Sequence, residues 1–341
     1  MNVVVLSNAL ADDASAEERD VLVQVQAVSG ALRRLGRGTA HWVCTLNLAE
    51  LAARLRLERP DVVFNLVEAL DGTDRLAPAV TLLLDALEIP YTGSPTMALL
   101  ATASKTAAKQ RLREAGLPTP AWSVATPRGR SPATDEAPPA DGEAVWPRRI
   151  ILKPVWEHAS LGMDDSAVVT VAGADELLGR LHDWTRRLGR PCFAEDYIDG
   201  REFNVALLAG RDGPDVLPPA EIDFSAFPAG KPRIVGYRAK WEAESFEYGQ
   251  TPRRFDFPGS DASLLDRLRD LALRCWAVFG LGGYARVDFR VDAQGRPWIL
   301  EINTNPCLSP DAGFAAALEQ SGLTCEDAVA RIVDGACIAP R

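Results

Sequence analysis

Two neighbouring segments with strand-like patterns contain polar residues whose types and spacing suit phosphate and metal chemistry. Arg286 and Asp288 alternate in the first segment, and Glu301 and Asn303 alternate in the second, so each pair shares one strand face. A four-residue loop, 293–296, would place Asp288 opposite Glu301 in a hairpin. Three oxygen ligands and one arginine then form a patch that suits Mg²⁺ held by carboxylates and nucleotide phosphates. A half-buried sheet face with an incidental ion pair is the alternative interpretation.

A lysine and a small loop could supply the positive charge and the backbone donors that phosphates need. Lys153 ends the apolar segment 150–152, and the direction of a buried strand takes its ammonium toward the ligand end of a sheet. A surface lysine with a buried stem is the alternative. The loop 157–163 follows at once, contains Ser160 and Gly162, and could fold over phosphates.

Hydrogen-bond acceptors follow in the next pair of predicted strands. The segment 192–198 ends with Glu195 and Asp196 near its carboxyl end, and Glu202 lies at the start of the following strand. A backbone segment with nearby carboxylates can contact an adenine edge and a ribose diol. A surface hairpin is the alternative.

The elements that would position these residues begin with an alternation of strand and helix patterns over residues 1–90. Strands are predicted at 3–6, 39–44 and 61–66, and helices at 18–35, 48–57 and 74–87. Such alternation predicts a parallel sheet, whose ligands gather at the carboxyl ends of its strands. Those ends contain Ser7 and Asn8 in one strand and the segment 65–68 in another.

The rest of the chain has a different pattern. A helix is predicted from Lys105, capped by Ser104, and residues 125–148 are predicted to be a long surface loop rich in Pro, Ala, Asp and Arg. Strands are expected to dominate from residue 149 to the helix 263–279. The tail 312–338 is predicted to be helical with a break at 321–322.

Composition narrows the class of protein. The net charge of −10 argues against nucleic-acid binding, which needs basic surface. No apolar run reaches the roughly 18–20 residues that span a bilayer, and the N-terminus does not resemble a signal peptide. Six scattered cysteines without zinc spacing suit reduced thiols in a cytoplasmic protein. The Walker, dinucleotide-binding, zinc-protease and hydrolase motifs do not occur in the chain.

Together, these motifs resemble those of the ATP-grasp superfamily. Their order and approximate spacing match it at Lys153-Pro154, 195–203, 286–288 and 301–306. Within that superfamily the chain resembles the D-alanine–D-alanine ligase branch, to which 64–65, 89–94 and 239–241 are also similar. The resemblance implies an α/β chain: a Rossmann-like parallel-sheet domain at 1–95, followed by two α+β ATP-grasp subdomains at 96–194 and 195–341.

The resemblance also implies roles for the matched residues. Contacts with ATP are implied for Lys105, Lys153, Ser160, Glu195, Asp196, Ile198, Glu202 and Lys240. Of these, the lysines would contact phosphates, the segment from Glu195 to Ile198 would hold adenine, and Glu202 would hold the ribose. Asp288, Glu301 and Asn303 would coordinate two Mg²⁺ ions, for which Mn²⁺ could substitute. Arg286 would face the developing oxyanion.

The reaction implied by the resemblance is an ADP-forming ligation. A substrate carboxylate attacks the γ-phosphorus of ATP, and an amine then displaces phosphate from the acyl phosphate. Because acyl phosphates hydrolyse in water, a closing lid is expected, and the loops 157–163 and 240–252 are the candidates. Lys240 would approach the γ-phosphate from the second loop.

The chain departs from the family pattern where substrates bind. Ala159 and Trp241 stand where the family has a serine and a tyrosine. Cys307 and Ala312 likewise replace a glycine and a serine that help to receive the second substrate, while Asp311 would suit a cation or amine. A nucleophilic Cys307 has little support, because no histidine lies nearby in the sequence.

Two further residues have open interpretations. Glu17, in a segment that resembles the family's Ser-Ala-Glu element, would bind a substrate ammonium, although glutamates are common at helix N-termini for dipole reasons. His158, which replaces a family glycine, either contacts substrate or is a surface histidine, and the surface is favoured.

We therefore expect a D-alanine–D-alanine ligase-like enzyme with an altered acceptor site, acting on amino acids or short peptides and dimeric by resemblance. An amino-acid or dipeptide ligase of a specialised biosynthetic pathway is the first alternative. A non-catalytic ATP-binding regulatory module is the second.

Overall fold

The computed structural model describes residues 1–126, 129–130, 145–157, 160 and 162–338. Most of the predicted loop 125–148, together with His158 and Ala159, lies outside these residues. Within them, no helix is long and apolar enough to cross a membrane.

The N-terminal part is the predicted alternation of strands and helices. Its elements are β1 (Asn2–Asn8), α1 (Ala16–Arg34), β2 (Gly38–Cys44), α2 (Leu48–Glu58), β3 (Val62–Asn65) and α3 (Pro78–Ala86). The strands form a parallel sheet in the order β2-β1-β3, because the helical crossovers return each strand in the same direction. Ser15 starts α1 with a capping box in which its side chain and that of Glu18 each bond the other's backbone N–H.

A five-stranded antiparallel sheet follows, with the order β5-β4-β8-β6-β7. The elements are α4 (Thr96–Ala103), α5 (Lys105–Glu114), β4 (Trp122–Thr126), β5 (Gly129–Arg130), β6 (Arg148–Pro154), β7 (Val168–Val171), α6 (Ala174–Leu188) and β8 (Cys192–Asp196). Ser104 caps α5 as predicted, because its hydroxyl accepts a bond from the N–H of Ala107.

Helix α6 corrects the expectation that strands dominate from residue 149 to the helix 263–279. Its buried residues Leu177, Leu181 and Trp184 follow helical spacing, and Gly189 ends it in a left-handed conformation. The neighbouring β-rich segments hid this helical pattern, which was present in the sequence.

The third sheet has six strands and contains the predicted hairpin. Its strands are β9 (Arg201–Gly210), β10 (Gly213–Val216), β11 (Ala220–Ile222), β12 (Arg253–Arg254), β13 (Tyr284–Val291) and β14 (Pro297–Asn303). The order is β12-β11-β9-β13-β14, with β10 also paired to β9. The remaining helices are α7 (Tyr237–Trp241), α8 (Phe246–Gly249), α9 (Ala262–Phe279), α10 (Gly313–Gln320) and α11 (Cys325–Ile338).

The hairpin of β13 and β14 has the predicted pairing of Asp288 with Glu301, but its turn differs in length from the prediction. Val291 pairs with Pro297, so five residues form the turn instead of four. An unpaired residue, Leu300, then forms a bulge that brings Asp288 opposite Glu301. With this turn and no bulge, Asp288 would face Leu300, and Glu301 would point to the opposite face.

The tail helices join the sheets into one core. Phe314 of α10 and Ile332 of α11 pack with Val5 and Phe64 of the parallel sheet and with Tyr284 of β13. The carboxyl ends of β1 and β3 are therefore held beside the face of the six-stranded sheet that contains the polar residues.

Candidate active site

A cavity of about 560 Å³ lies where the three sheets meet. It is lined by every residue that the sequence analysis assigned to a site: Glu17, Lys105, Lys153, Ser160, Glu195, Asp196, Ile198, Glu202, Lys240, Arg286, Asp288, Glu301 and Asn303. Residues separated by more than 280 positions in the chain thus share one space.

Asp288 lies at the centre of the predicted oxygen-ligand patch. Arg286 forms a two-pronged pair with it, with Nε–Oδ1 and Nη2–Oδ2 distances of 2.7 and 2.8 Å. The side-chain amide of Asn204 donates to Oδ1 at 2.8 Å, and that of Asn303 donates to Oδ2 at 3.0 Å. Four hydrogen-bond donors therefore stabilise the Asp288 carboxylate, and one of the groups that supply them, the Arg286 guanidinium, is positively charged.

Glu301, the other carboxylate of the patch, is paired with Lys105. The Nζ atom of Lys105 lies 2.6 Å from a Glu301 oxygen and also donates to the carbonyl of Glu157 at 2.8 Å. No group of three or more His, Cys, Asp or Glu side chains within the described part of the chain could hold a metal by itself. The hard oxygen donors of Asp288, Glu301 and Asn303 nevertheless fit Mg²⁺, because that ion commonly takes few carboxylates and completes its shell with water and phosphate.

Glu195 is enclosed by two lysines instead of facing the cavity alone. Its Oε2 atom lies 2.5 Å from Nζ of Lys153, and its Oε1 atom pairs with Lys109. Both Glu195 and Lys109 are only 1% exposed. Burial acts to raise the pKa of Glu195, but the two ammonium groups overcome it and hold that pKa below its usual value.

The other residues assigned to the adenosine end are also paired. Asp196 forms an ion pair with Arg148, and Glu202 lies 2.9 Å from Nη2 of Arg290. Burial raises the pKa of both carboxyl groups above the usual value, and the paired arginines offset only part of this increase. Ile198 adds an apolar side to the cavity.

The first predicted lid loop, 157–163, contacts the segment 235–237, which lies just before the second predicted lid loop, 240–252. The hydroxyl of Ser160, a residue with a φ of +66°, donates to the carbonyl of Val235 at 2.8 Å. The N–H of Tyr237 donates to the carbonyl of Met163 at 2.9 Å. Lys240 lies one turn further along α7, where burial and the nearby Arg286 guanidinium lower the pKa of its ammonium. The first loop is therefore tied to the segment that leads into the second, and Ser160, Met163 and Lys240 all line the cavity.

The end of the cavity formed by the N-terminal part is acidic. Burial, together with the nearby carboxylate of Asp74, raises the pKa of Glu17 and of Glu68 to about 7. Gln24 donates to Glu68 at 2.9 Å and to Asp20 at 3.2 Å. Because burial disfavours the ionised forms of these carboxyl groups, they suit a ligand that brings a compensating positive charge, such as an ammonium group.

The acceptor segment after Asn303 is tied to the same acidic end. The Cys307 thiol donates to Asp20 at 2.9 Å, and the Ser309 hydroxyl donates to the other Asp20 oxygen at 2.8 Å. Burial and this carboxylate raise the pKa of Cys307, which disfavours the thiolate that a nucleophile needs. Arg253, on β12, donates to the carbonyl of Asp311 at 3.1 Å and also lines the cavity.

Sequence reasoning placed Glu68 at the ligand end of the parallel sheet but missed Lys109, Asn204, Arg253, Arg290 and Asp20. Their signals were weak because each lies in an ordinary helix or strand and gains meaning only from a partner distant in the chain. Asn204 was the exception: it alternates with Glu202 on β9, so it had to share the face that neighbours Asp288.

Comparison with solved structures places the fold in the ATP-grasp class. The chain superimposes on the crystal structure of the D-alanine–D-alanine ligase from Bacillus anthracis complexed with ATP, with a TM-score of 0.69. The match covers 98% of this chain and 97% of that one, at 19% sequence identity. At this identity the likeness concerns the fold.

Sequence comparisons then define the family. A family model described as the D-ala D-ala ligase C-terminus matches residues 112–334. The D-alanine–D-alanine ligase of Moorella thermoacetica is 31% identical, covering 94% of this chain and 95% of its own length. That of Gloeobacter violaceus is also 31% identical, covering 98% and 99%. The chain belongs to the D-alanine–D-alanine ligase family, which confirms the resemblance seen in its motifs.

Proposed function

We propose that this protein is an ADP-forming ligase that uses ATP to join a carboxylate to an amine. The observation that supports this most directly is the single cavity in which the lysines Lys105 and Lys153 lie beside the oxygen donors Asp288, Glu301 and Asn303. Phosphoryl transfer depends mainly on positioning and charge neutralisation, and these groups can supply both.

The proposed roles divide the cavity into two ends. ATP would lie between the five-stranded and six-stranded sheets, with its phosphates near Lys105, Lys153, Ser160 and Lys240. Asp288, Glu301 and Asn303 would hold Mg²⁺, two ions by our proposal, and the metal would neutralise phosphate charge when bound. The adenosine would contact the segment from Glu195 to Ile198 and Glu202.

Arg286 is paired with Asp288 and lines the cavity, where an acyl group would be transferred. Its guanidinium is held by Asp288, so it is preorganised to stabilise an oxyanion that develops in the tetrahedral intermediate. Glu17 would bind the ammonium group of an amino-acid substrate. Asp311 and Arg253 would face the second substrate, whose identity is the open part of the proposal.

D-alanine is the first substrate to test, because the relatives are D-alanine–D-alanine ligases. A ligase of other amino acids or short peptides is the second candidate, and the altered segment from Cys307 to Ala312 favours it. A non-catalytic ATP-binding module is disfavoured by the complete set of phosphate and metal residues.

An ADP-release screen separates these possibilities. D- and L-amino acids, singly and in pairs, are incubated with Mg²⁺–ATP, and products are identified by mass. Release with D-alanine alone, with formation of the dipeptide, supports the first candidate, and release only with a mixed pair supports the second. Absence of substrate-dependent ADP release from protein that binds an ATP analogue would support the non-catalytic module.

Three finer statements belong to the same proposal. The protein would act in the cytoplasm and as a homodimer, and it would comprise domains at 1–95, 96–194 and 195–341. Light scattering of the purified protein tests the dimer, and a monomer at working concentration would contradict it.

A further inference from the structure

Lys109 is a buried cation close to the phosphate end of the cavity but not among the residues that line it. It extends from α5, and its Nζ atom pairs with Oε1 of Glu195 and bonds the Thr119 hydroxyl at 2.8 Å. The other Glu195 oxygen binds Lys153, which does line the cavity. One buried carboxylate thus connects an interior lysine to a lysine at the site.

The charges of this cluster have a direct consequence. Without Lys109, Glu195 and Lys153 would form a neutral pair, and the carboxylate would cancel much of the charge that Lys153 presents to a phosphate. With Lys109, two ammonium groups and one carboxylate leave a net positive charge, and only Lys153 can present it to the cavity. In a buried setting such a difference is strongly felt, because little solvent screens it.

Lys109 also connects the two sheets that form the nucleotide end. Its partner Glu195 belongs to β8 of the five-stranded sheet. Its other partner, Thr119, donates to the carbonyl of Ile299 at 2.9 Å, and Ile299 precedes the bulge that positions Glu301. The Lys109 ammonium therefore fixes the Glu195 carboxylate beside Lys153. Through Thr119, it is also linked to β14, the strand that contains Glu301 and Asn303.

We propose that Lys109 is a positioning residue for the nucleotide phosphates, acting through Glu195 on Lys153 without touching the ligand. This inference rests on the proposed function, since it requires that phosphates bind near Lys153. If Lys109 had only a structural role, its removal would weaken the binding of ligands with and without phosphates to the same extent. The positioning role predicts a loss that is specific to phosphates.

The test compares a nonhydrolysable ATP analogue with adenosine, which has no phosphate, by calorimetric titration of the full-length protein with Mg²⁺. Lys109→Met should weaken binding of the analogue about tenfold or more and change adenosine binding by less than about twofold. Lys109→Arg, which keeps the charge, should recover most of the analogue affinity. Parallel loss of both ligands, or no loss of either, would overturn the inference.

Arg113 provides a matched control on the same helix. Its guanidinium lies 5.0 Å from the centre of the Trp122 ring, and Nζ of Lys109 lies 6.0 Å from the same ring, but Arg113 does not pair with Glu195. Arg113→Met should therefore leave the ratio of analogue to adenosine affinity unchanged. A ratio that falls as far as in Lys109→Met would contradict a route through Glu195.

Two further variants keep the test decisive. If Lys109→Met does not fold, Lys109→Gln replaces it, because glutamine can still donate to Glu195 while removing the charge, and the same phosphate-specific loss is expected. In a Glu195→Gln background the Lys109 substitution should have little further effect on the ratio, since its route is gone. Failure of the unaltered protein to bind the analogue would count against the proposed function instead.

Discussion

At the scale of single residues, the site is a set of carboxylates that each hold a cation of the chain itself. Asp288 holds Arg286, Glu301 holds Lys105, and Glu195 holds two lysines. These internal pairs keep the charged groups in place before any ligand is bound. A bound metal ion would replace the cations that now lie beside the carboxylates, and bound phosphates would replace the carboxylates that now lie beside the lysines. Because each ligand replaces a group of the same charge sign, little rearrangement is required.

Asp288 tests the metal assignment. Asp288→Asn keeps the size of the side chain but removes the charge that Mg²⁺ and Arg286 need, so ADP formation should fall by about 100-fold or more. The measurement is coupled ADP release, with thermal unfolding to confirm that the fold remains. Asp270→Asn, on the exposed side of α9, is the control and should retain full activity. Full turnover by Asp288→Asn would refute the assignment.

Glu68 links the acidic end to stability. Its pKa is about 7 in the folded protein against 4.5 for an ordinary glutamate, so its stabilising contribution is complete below pH 4.5 and is lost as pH rises through 7. Glu68→Gln should therefore raise the free energy of unfolding by about 1–3 kcal/mol at pH 8 and leave it unchanged near pH 4.

Chemical denaturation at the two pH values measures this difference. The matched control is Glu114→Gln, since Glu114 also accepts a bond from a glutamine amide, that of Gln110, but is exposed. It should have no comparable effect at either pH. A Glu68→Gln variant that gains nothing at pH 8 would show that the carboxyl group is not held near neutrality.

At the scale of elements, the contact between the predicted lid loop 157–163 and the segment 235–237 depends on a glycine. A Cβ atom on Gly236 would lie 2.5 Å from the carbonyl oxygen of Met163, which is backbone and cannot move aside alone. Gly236→Ala should separate the loop 157–163 from the segment 235–237 and lower the turnover number about tenfold while leaving the free energy of unfolding nearly unchanged. Steady-state ligase kinetics measure the effect.

Gly249 is the control for this substitution. It lies in α8, within the predicted lid loop 240–252, and a Cβ atom there would meet nothing within 4 Å. Gly249→Ala should therefore behave as the unaltered protein. Equal loss of activity in the two variants would mean that loop composition matters, not the contact with Met163.

The elements show how far sequence patterns could predict the fold. The strands and helices of the first 90 residues were predicted closely because each has a regular pattern, which is a short apolar run in the buried strands β1 and β3 and one buried face in helices such as α1. Helix α6 was missed because its pattern lay among strands. The Asp288–Glu301 pairing was predicted correctly from a turn one residue too short, since the bulge at Leu300 restores the register and no local sequence signal marks it.

At the scale of the whole molecule, three sheets meet at the cavity, and residues of the two predicted lid loops, among them Ser160 and Lys240, line it. Binding an ATP analogue with Mg²⁺ should hold these loops closed and slow cleavage by trypsin after Arg238 and Lys240. The exposed turn at Arg211, between β9 and β10, should be cut at the same rate in both conditions. Unchanged cleavage in the loops, identified by mass, would count against the lid.

The motifs predicted which residues lie around the cavity better than they predicted how those residues are connected. Every residue assigned from the motifs lines the cavity, because the family pattern preserves their order along the chain. The cluster of Lys109, Glu195 and Lys153 was not predicted as a unit. It depends on how α5 packs between two sheets, and such long-range packing leaves no trace in local periodicity.

The acidic end of the cavity should also release protons when a ligand with an ammonium group binds there. At pH 7, carboxyl groups such as Glu17 and Glu68, whose pKa values are about 7, each retain about half a proton. An arriving ammonium group would favour their ionised forms and expel those protons into the buffer. The heat of substrate binding should therefore differ between phosphate and Tris buffers, and this difference should vanish when both residues are glutamine.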